Sequence, residues 1–282
     1  MPELPEVQAH AERLTAAFSG VRLERFEPLS FTALKTYRPP PDAASGRALD
    51  GVGRRGKHLL LGFADLTFVV HLMQGGRMRP LDAAGDGRRR RPRDGVARWR
   101  FADGRGLLLT ERGTERRAGV WVVDGDPLAQ EPLAALGPEA DTVDADGLRA
   151  RAHAHPMRLH GLLRDQSVLA GLGRRLANEV CHRARLSPFQ PTARLGAPES
   201  AALVAAIRAA VAEGLAADRR LDDMSASAQR PAAVHGRAGQ PCPVCGDAVR
   251  AVVYRSYTVN YCAACQTGGR VLADNTTSKF LK

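Results

Sequence analysis

The chain has 282 residues, 44% of them hydrophobic, which excludes a disordered protein and suffices to bury a core in two compact domains. Its 41 lysines and arginines outnumber 30 acidic residues, and the net charge of +11 favours a polyanionic partner such as nucleic acid, although an arginine-rich genome would produce the same excess. No apolar run approaches the ~18–20 residues of a membrane span and no secretory signal is seen, so we expect a cytoplasmic protein without a membrane partner.

The first half of the chain predicts one helix followed by an antiparallel β-sandwich or barrel. Apolar residues from Leu4 to Phe18 recur at three- and four-residue steps, which predicts a helix over residues 2–18 that stops at Gly20. A link over residues 82–95 is rich in arginine and predicts a mobile basic loop. Short apolar runs bounded by Gly, Pro and Asp predict strands at Val21–Phe26, His58–Phe63, Leu66–Leu72, Ala97–Phe101, Leu107–Thr110 and Val120–Val123.

The second half of the chain changes to a helical pattern. Residues 124–145 are rich in Asp, Pro and Ala without periodicity, and they predict a domain boundary. Residues 222–240 are polar and contain Gly and Pro, which predicts a linker before a cysteine-rich hairpin and a tail to Lys282. Apolar stripes predict three helices, at Pro156–Arg164, Gly173–Ala184 and Pro198–Ala217.

Four of the five cysteines form two Cys-x2-Cys pairs, with sixteen residues between the pairs. Such pairs in a chain without an export signal predict a zinc site rather than disulfides, because zinc takes four thiolates in a tetrahedron at about 2.3 Å. The predicted zinc ligands are Cys242, Cys245, Cys262 and Cys265. The fifth cysteine, Cys181, lies in a helical stretch and is interpreted as a small buried hydrophobe rather than a nucleophile.

Four sequence features occur here in an order typical of one protein family. The chain begins MPELPEV, continues through a Gly56-Lys57 turn, carries GLGRRLANEV at residues 171–180 and reaches the four-cysteine hairpin. In this combination it resembles the formamidopyrimidine-DNA glycosylase and endonuclease VIII family over nearly its whole length, with PELPEV as the most specific feature. The resemblance implies an α+β fold of two domains, with an N-terminal helix, an antiparallel β-sandwich, a helix–two-turn–helix and a zinc-finger β-hairpin.

The same resemblance implies an activity and a set of partners. The expected protein is a bifunctional DNA glycosylase and abasic-site lyase, which excises oxidised or otherwise damaged bases and nicks the strand by β/δ-elimination. Its partner would be double-stranded DNA with a damaged base or an abasic site, its cofactor one structural zinc ion, and its state a cytoplasmic, nucleoid-associated monomer. The expected domains are 1–124 (catalytic β-sandwich), 125–240 (helix–two-turn–helix), 241–266 (zinc finger) and 267–282 (C-terminal extension).

The resemblance implies four catalytic residues near the N-terminus and the first turn. Removal of Met1 would expose the secondary amine of Pro2, the implied nucleophile that attacks the sugar C1′ and forms a Schiff base. Glu3 is the matching acid/base carboxylate, Glu6 would orient the amine or hold its charge, and Lys57 would reach a DNA phosphate. Each residue also has an ordinary interpretation, since Pro and acidic residues favour helix starts and hairpin lysines are mostly solvated.

Several positions of the implied DNA-binding surface depart from the family pattern. Arg174 replaces the phosphate-clamping Asn of the glycine-rich turn, and Tyr257 replaces the hairpin arginine, for which Arg255 is a candidate substitute. Gln74 stands at the void-filling Met, and Ala118 at the Phe that helps to replace the extruded base. The residues predicted to contact DNA are Lys57, His71, Gln74, Arg116, Arg117, Arg174, Asn178, Arg255 and Tyr257.

These departures favour the endonuclease VIII-like branch, which acts on oxidised pyrimidines and bare abasic sites, over enzymes of the 8-oxoguanine type. They also motivate an alternative function, a damage- or structure-recognising DNA-binding zinc protein without glycosylase activity. An RNA-binding or ribosome-linked zinc protein would fit the charge, but it would leave the N-terminal residues unexplained.

Overall fold

The predicted N-terminal helix spans Leu4–Phe18 (α1). Glu3 is its N-cap in an extended conformation, so the helix begins two residues later than predicted, and Pro5 fits the first turn, where no backbone N–H is needed. The apolar stripe of α1 is buried, and the chain turns away at Gly20 with φ of 80°.

A computed structural model describes residues 1–83, 92–113, 116–223 and 230–272 of the protein.

Eight strands in the first half of the described chain form two four-stranded antiparallel sheets. They are β1 (Leu23–Pro28), β2 (Gly51–Arg55), β3 (His58–Phe63), β4 (Leu66–His71), β5 (Gly76–Leu81), β6 (Gly95–Phe101), β7 (Gly106–Glu111) and β8 (Gly119–Asp124). One sheet has the order β1-β6-β7-β5 and the other β2-β3-β4-β8. Six of these strands overlap the predicted apolar runs.

The two sheets share one apolar core, which confirms the predicted β-sandwich. Phe26 and Trp99 come from the first sheet, and Phe68 comes from the second. The Phe26 ring centroid lies 5.0 Å from that of Trp99 and 5.2 Å from that of Phe68, and the Phe68–Trp99 separation is 6.0 Å. Tilted aromatic contacts at these distances add to the stabilisation that burial of the rings provides.

Strands β2 and β5 were not predicted, and both lie at the edge of a sheet. Their sequences, GVGRR and GRMRPL, combine Gly, Arg and Pro with few apolar residues. Charged residues and proline are common on edge strands, because they discourage pairing with another chain. An apolar pattern therefore detects the central strands and misses these two.

Helix α1 is hydrogen-bonded to the edge strand β2. The Thr15 hydroxyl donates to the Val52 carbonyl at 3.1 Å and accepts from the Val52 N–H at 2.8 Å. Nearer the start of the helix, Arg54 Nε donates to Gln8 Oε1 at 3.1 Å. Since the helix runs antiparallel to β2, its first residues lie toward the turn that follows the strand.

The second half of the described chain contains five α-helices and a β-hairpin. They are α2 (Ala145–Ala154), α3 (Leu159–Arg164), α4 (Arg174–Arg183), α5 (Ala197–Asp218), β9 (Val249–Val253), β10 (Thr258–Cys262) and α6 (Ala263–Thr267). Helix α2 was not predicted, although Asp144 caps it by accepting the Gly147 N–H at 2.7 Å. Helix α3 starts later than predicted because its N-cap, Arg158, is extended and Met157 exchanges hydrogen bonds with Thr192.

Helix α5 is 22 residues long and apolar enough to meet the length and composition of a membrane span, which the sequence analysis did not anticipate. Arg208 donates to the Val143 carbonyl at 3.1 Å, and Arg183 forms a two-bond ion pair with Glu213 at 2.7 and 2.8 Å. The most apolar window is 44% buried. Core helices of globular proteins meet the same length and composition criteria, and partial burial with hydrogen-bonded or ion-paired arginines is typical of them.

The chain divides into two units at Leu136, inside the predicted boundary stretch. The helical region and the cysteine hairpin, predicted as separate domains, belong to one unit, whereas α5 from Leu215 belongs with the sandwich. There Arg13 donates to the Asp218 carbonyl at 2.9 Å. Outside the described residues lie 84–91 of the predicted basic loop and 273–282 of the predicted extension.

Replacing Phe68 by alanine tests the sandwich core. We expect Phe68→Ala to lower the free energy of unfolding by about 3–5 kcal/mol, because it leaves a cavity between the sheets. Thr67→Ala on the same strand is the control, since adjacent residues of a strand face opposite sides and Thr67 is only half-buried. Urea denaturation of both variants checks this, and equal losses would contradict the assigned core face.

Candidate active site and metal centre

The predicted catalytic carboxylates lie together at the start of α1. Glu3 and Glu6 are 4% and 6% exposed, and the Glu3 backbone N–H donates to Glu6 Oε2 at 2.7 Å. The pair forms a capping box, so the helix-start interpretation and the catalytic one apply to the same residues. Pro2 is buried beside them, whereas Met1, which covers its nitrogen in the translated chain, is 49% exposed.

Lys57 occupies the two-residue turn between β2 and β3 with Gly56, whose φ is 56°. Lys57 is 6% exposed, so it is not the solvated hairpin lysine of the ordinary interpretation. The next residue, His58, lies with its ring centroid 4.5 Å from that of His71. Because α1 runs antiparallel to β2, the residues before Gln8 lie toward this turn.

His71 is held as a neutral ring. Burial, with help from His58 and Lys57, lowers the pKa of His71 to about 3. Its Nδ1 accepts the Met73 N–H at 3.1 Å. At physiological pH His71 therefore presents a hydrogen-bonding imidazole to the site rather than a cation.

The turn that carries Gln74 lies against the segment after β7. The Arg112 N–H donates to the Gly75 carbonyl at 3.4 Å, and a Cβ at Gly75 would come within 2.3 Å of the Arg112 carbonyl oxygen. A Cβ at Gly76 would meet the Leu72 carbonyl oxygen at 2.0 Å. Only glycine fits such approaches, so both glycines are required for this packing.

The predicted Gln74, Arg116 and Arg117 lie at the surface, whereas Ala118 is buried. Gln74, Arg116 and Arg117 are exposed, and Arg116 donates to the Arg93 carbonyl at 2.7 Å. Ala118 is 1% exposed, and its N–H donates to a Glu111 carboxylate oxygen at 2.7 Å. A residue held there cannot enter a DNA stack.

In the second unit, Arg174 and the hairpin turn come together. Helix α4 begins at Arg174, with Gly173 as an N-cap that has no side chain, and Gly171 has φ of 104°. Arg174 Nη1 donates to the Ser256 carbonyl at 3.4 Å. Arg255, in the same turn, is exposed.

Asn178 requires a correction. It was predicted to contact DNA, but it is fully buried, and its amide bonds to His235 Nδ1 at 2.9 Å and accepts the Asn260 N–H at 3.3 Å. Its neighbour Glu179 accepts three successive backbone N–H groups, at 2.7 to 3.0 Å, from residues 233–235. Both side chains therefore fasten α4 to the chain around the cysteine hairpin.

Tyr257 packs between aromatic and cationic groups that the sequence analysis missed. Its ring stacks on Tyr254 and His160, and the Arg164 guanidinium lies over it. His160 and Arg164 are four residues apart on α3, a spacing that places them on one helix face but does not reveal what that face contacts.

The four predicted zinc ligands form one cluster. All four sulfur atoms lie within 4.8 Å of one another, with Cys242–Cys265 at 3.9 Å and Cys245–Cys262 at 3.4 Å. A tetrahedral zinc with thiolates at about 2.3 Å places its sulfurs about 3.8 Å apart, whereas a disulfide needs about 2.05 Å. The cluster can hold a metal ion, and its geometry fits zinc. His182 Nε2 lies 3.3 Å from Cys242 Sγ, as a supporting hydrogen bond to a metal-binding thiolate would.

Cys181 does not belong to this cluster. It is fully buried in α4, and burial raises the pKa of its thiol. A thiol that stays protonated is a poor nucleophile, as the sequence analysis predicted.

Comparison with known proteins places this geometry in a family. Residues 1–120 match the formamidopyrimidine-DNA glycosylase N-terminal domain, and residues 128–224 match the formamidopyrimidine-DNA glycosylase H2TH domain. The formamidopyrimidine-DNA glycosylase of Roseiflexus sp. (strain RS-1) is 35% identical over 296 residues, covering 94% of this chain and 100% of the relative. The chain belongs to the formamidopyrimidine-DNA glycosylase family.

Solved structures of the family have the same fold. The MutM (Fpg) protein of Thermus thermophilus superimposes with a TM-score of 0.78 at 29% identity, covering 94% of this chain and 98% of the other. A complex of Lactococcus lactis Fpg with abasic-site DNA gives a TM-score of 0.83 at 21% identity, over 94% and 99% of the chains. The names of these family members do not favour the expected endonuclease VIII-like branch.

The lowered pKa of His71 predicts a pH-dependent stability. As the pH falls below about 6.5, the His71 ring binds a proton in the unfolded chain, whereas in the folded chain it stays neutral down to about pH 3. The free energy of unfolding therefore falls across that interval. Between pH 7 and pH 5, we expect the free energy of unfolding of His71→Gln to fall by roughly 1–2 kcal/mol less than that of the wild type. Urea titrations at both values measure this, with the exposed His153→Gln as control; identical pH dependence in all three proteins would contradict the assignment.

The cysteine cluster predicts about one zinc ion per chain by elemental analysis. We expect Cys262→Ser to reduce the zinc content strongly and to lower the thermal stability of the hairpin, because a three-thiolate site leaves zinc incompletely ligated. Cys181→Ala is the matched control and should keep its metal. Zinc content far below one per chain in the wild type would contradict the zinc assignment.

Proposed function

We propose that this protein is a bifunctional DNA glycosylase and abasic-site lyase that excises damaged bases from duplex DNA through the amine of Pro2. Family membership supports the coarser part, the removal of damaged bases from DNA. The single observation behind the lyase activity and the role of Pro2 is the arrangement at the chain start. There Pro2 is buried beside two carboxylates that lie within one helical turn.

The N-terminal geometry supplies the groups that the reaction needs. Once Met1 is removed, Pro2 becomes a secondary amine, and an α-amino group with an ordinary pKa near 7.7–8.0 is partly neutral at cellular pH. The nitrogen attacks the sugar C1′, the glycosidic bond breaks, and the electron pair leaves with the base, which takes up a proton. Opening of the sugar then gives a Schiff base between Pro2 and C1′.

Glu3 is the proposed acid/base residue, and Glu6 is the residue that holds Glu3 in position. Glu3 is buried, so a proton on its carboxyl group can be delivered to the sugar ring oxygen or the departing base without competition from bulk water. Glu6 holds the Glu3 backbone through the 2.7 Å hydrogen bond. Withdrawal of a proton from C2′ of the Schiff base then expels the flanking 3′ phosphate, and a second elimination expels the 5′ phosphate.

The proposed partner is double-stranded DNA, bound by a monomer. Lys57 supplies a cation at the turn toward which the first residues of α1 lie, and electrostatic contacts to phosphate dominate the affinity of such complexes. The four cysteines would hold a structural zinc ion, which supplies rigidity to the hairpin and no open coordination site for catalysis.

Borohydride trapping tests the proposal. We expect the mature protein to form a covalent adduct with duplex DNA carrying an abasic site, because borohydride reduces the Schiff base to a stable amine. A protein that retains Met1 should give less than about one-hundredth of that adduct, since an amide nitrogen cannot form it. Mass spectrometry of the adduct should place the sugar on Pro2.

Two further proteins make the test specific. Pro2→Gly retains a primary amine and should still be trapped to some extent, whereas Glu3→Gln should lose base excision and keep DNA binding. Efficient trapping with Met1 retained would overturn the Pro2 assignment. Salt-dependent binding without trapping on any of an oxidised, alkylated and abasic panel would favour the non-catalytic damage-binding alternative, and the same panel assigns the preferred lesion.

A further inference from the structure

The turn of the β9–β10 hairpin carries a stack of planar groups around Tyr257. Its ring centroid lies 4.7 Å from that of Tyr254, with planes 13° apart, and 6.0 Å from that of His160, with planes 10° apart. The guanidinium carbon of Arg164 lies 4.2 Å from the Tyr257 centroid. This distance is within the range of a cation–π interaction.

Local structure fixes each member of this Tyr257 stack. The Tyr254 N–H donates to the Tyr257 carbonyl at 2.8 Å and closes the hairpin turn that carries the two stacked rings. Arg164 is the last residue of α3, where a cation is favoured by the helix dipole, and His160 is one turn earlier on the same face. The stack is therefore built by two rigid elements of one unit.

Arg164 is the charged member of the stack. Burial, assisted by the Arg164 charge itself, lowers the pKa of His160 to about 3, so that ring is neutral at physiological pH. Stacking covers one face of a guanidinium and leaves its in-plane N–H groups available, in the fork that matches a phosphate. Among the described residues, the Arg164 guanidinium donates to no hydrogen-bond acceptor, and its side chain is partly exposed.

Two further arginines surround the same turn. Arg174 Nη1 reaches the Ser256 carbonyl at 3.4 Å, and Arg255 projects from the turn itself. Within the described parts of the chain, no carboxylate forms an ion pair with Arg164, Arg174 or Arg255. Three like charges gathered without an acidic partner repel one another, and a polyanion laid across them removes that repulsion.

We propose that Arg164, seated on Tyr257, is a phosphate-binding residue for duplex DNA. The inference rests on the proposed function, because that function supplies the DNA partner. Tyr257 acts as the positioning residue, since its ring holds the guanidinium fork beside the turn that also carries Arg255. Arg164 lies outside every DNA-contacting position that the sequence analysis selected.

Salt-dependent binding tests the assignment. The zinc-loaded full-length protein is titrated with a labelled duplex carrying a tetrahydrofuran abasic analogue, between about 50 and about 200 mM salt. We expect Arg164→Gln to bind roughly tenfold more weakly and to reduce the slope of log K against log[salt] by about one. The control Arg149→Gln removes an exposed arginine from the same unit, paired with Asp146 at 3.0 Å, and should keep the wild-type affinity and slope.

A double-mutant cycle tests the role of Tyr257. We expect Tyr257→Leu to match the loss in Arg164→Gln, Tyr257→Phe to behave as wild type, and the double variant Arg164→Gln/Tyr257→Leu to lose no more than Arg164→Gln alone. Additive losses of affinity in the double variant would overturn the positioning role of Tyr257. If Arg164→Gln changes zinc content or thermal stability, Arg164→Lys replaces it in the test, because lysine keeps the charge but lacks the planar guanidinium. Weaker binding with the wild-type salt slope would support phosphate binding by the stacked guanidinium of Arg164. Unchanged affinity would overturn it.

An unchanged salt slope in a folded Arg164→Gln protein would overturn the proposal, whatever its affinity. Borohydride trapping of the same preparations separates this from failure of the proposed function. Wild-type trapping with an unchanged slope in the variant removes only the Arg164 assignment. A reduced slope without any trapping removes the lyase activity and leaves Arg164 as a DNA contact.

Discussion

The paired hydrogen bonds between Thr15 and Val52 are the constraint on which the first unit depends. They cover an edge strand that would otherwise expose its backbone, and they fix the helix in register along it. With the Arg54–Gln8 bond, they set the direction in which the helix points its first residues. A free chain terminus is usually mobile, whereas these bonds hold the helix that follows Pro2 against the sheet, as the proposed chemistry requires.

The sequence identifies those parts of this fold whose physical cause is local. The stripe of α1 and the apolar central strands follow from periodicity, and the two Cys-x2-Cys pairs follow from the stereochemistry of zinc. The edge strands could not be found in this way, because Arg54 bonds to a side chain of α1 and Gly76 fits a close backbone approach, and neither cause produces an apolar pattern. Asn178 shows a second limit, since its exposure depends on a loop more than fifty residues away.

Gly75, Gly76 and Ala118 are fixed by packing next to positions that the sequence analysis predicts to contact DNA. The glycines let two backbone segments approach closely, and Ala118 is turned inward by its bond to Glu111. Their exposed neighbours in the sequence are polar or charged, namely Gln74, Arg116 and Arg117. Under the proposed function, these side chains would fill the space of an extruded base with hydrogen-bonding groups rather than stacking groups.

Glu179 and Asn178 give the cysteine hairpin an attachment that is independent of metal. The carboxylate takes up three successive N–H groups of residues 233–235, and the amide reaches strand β10. Engineers who wish to exchange fingers between relatives therefore cannot cut at the first cysteine. A viable chimera must carry α4, residues 230–240 and the hairpin together. A graft that omits any of them leaves buried polar groups without hydrogen-bond partners.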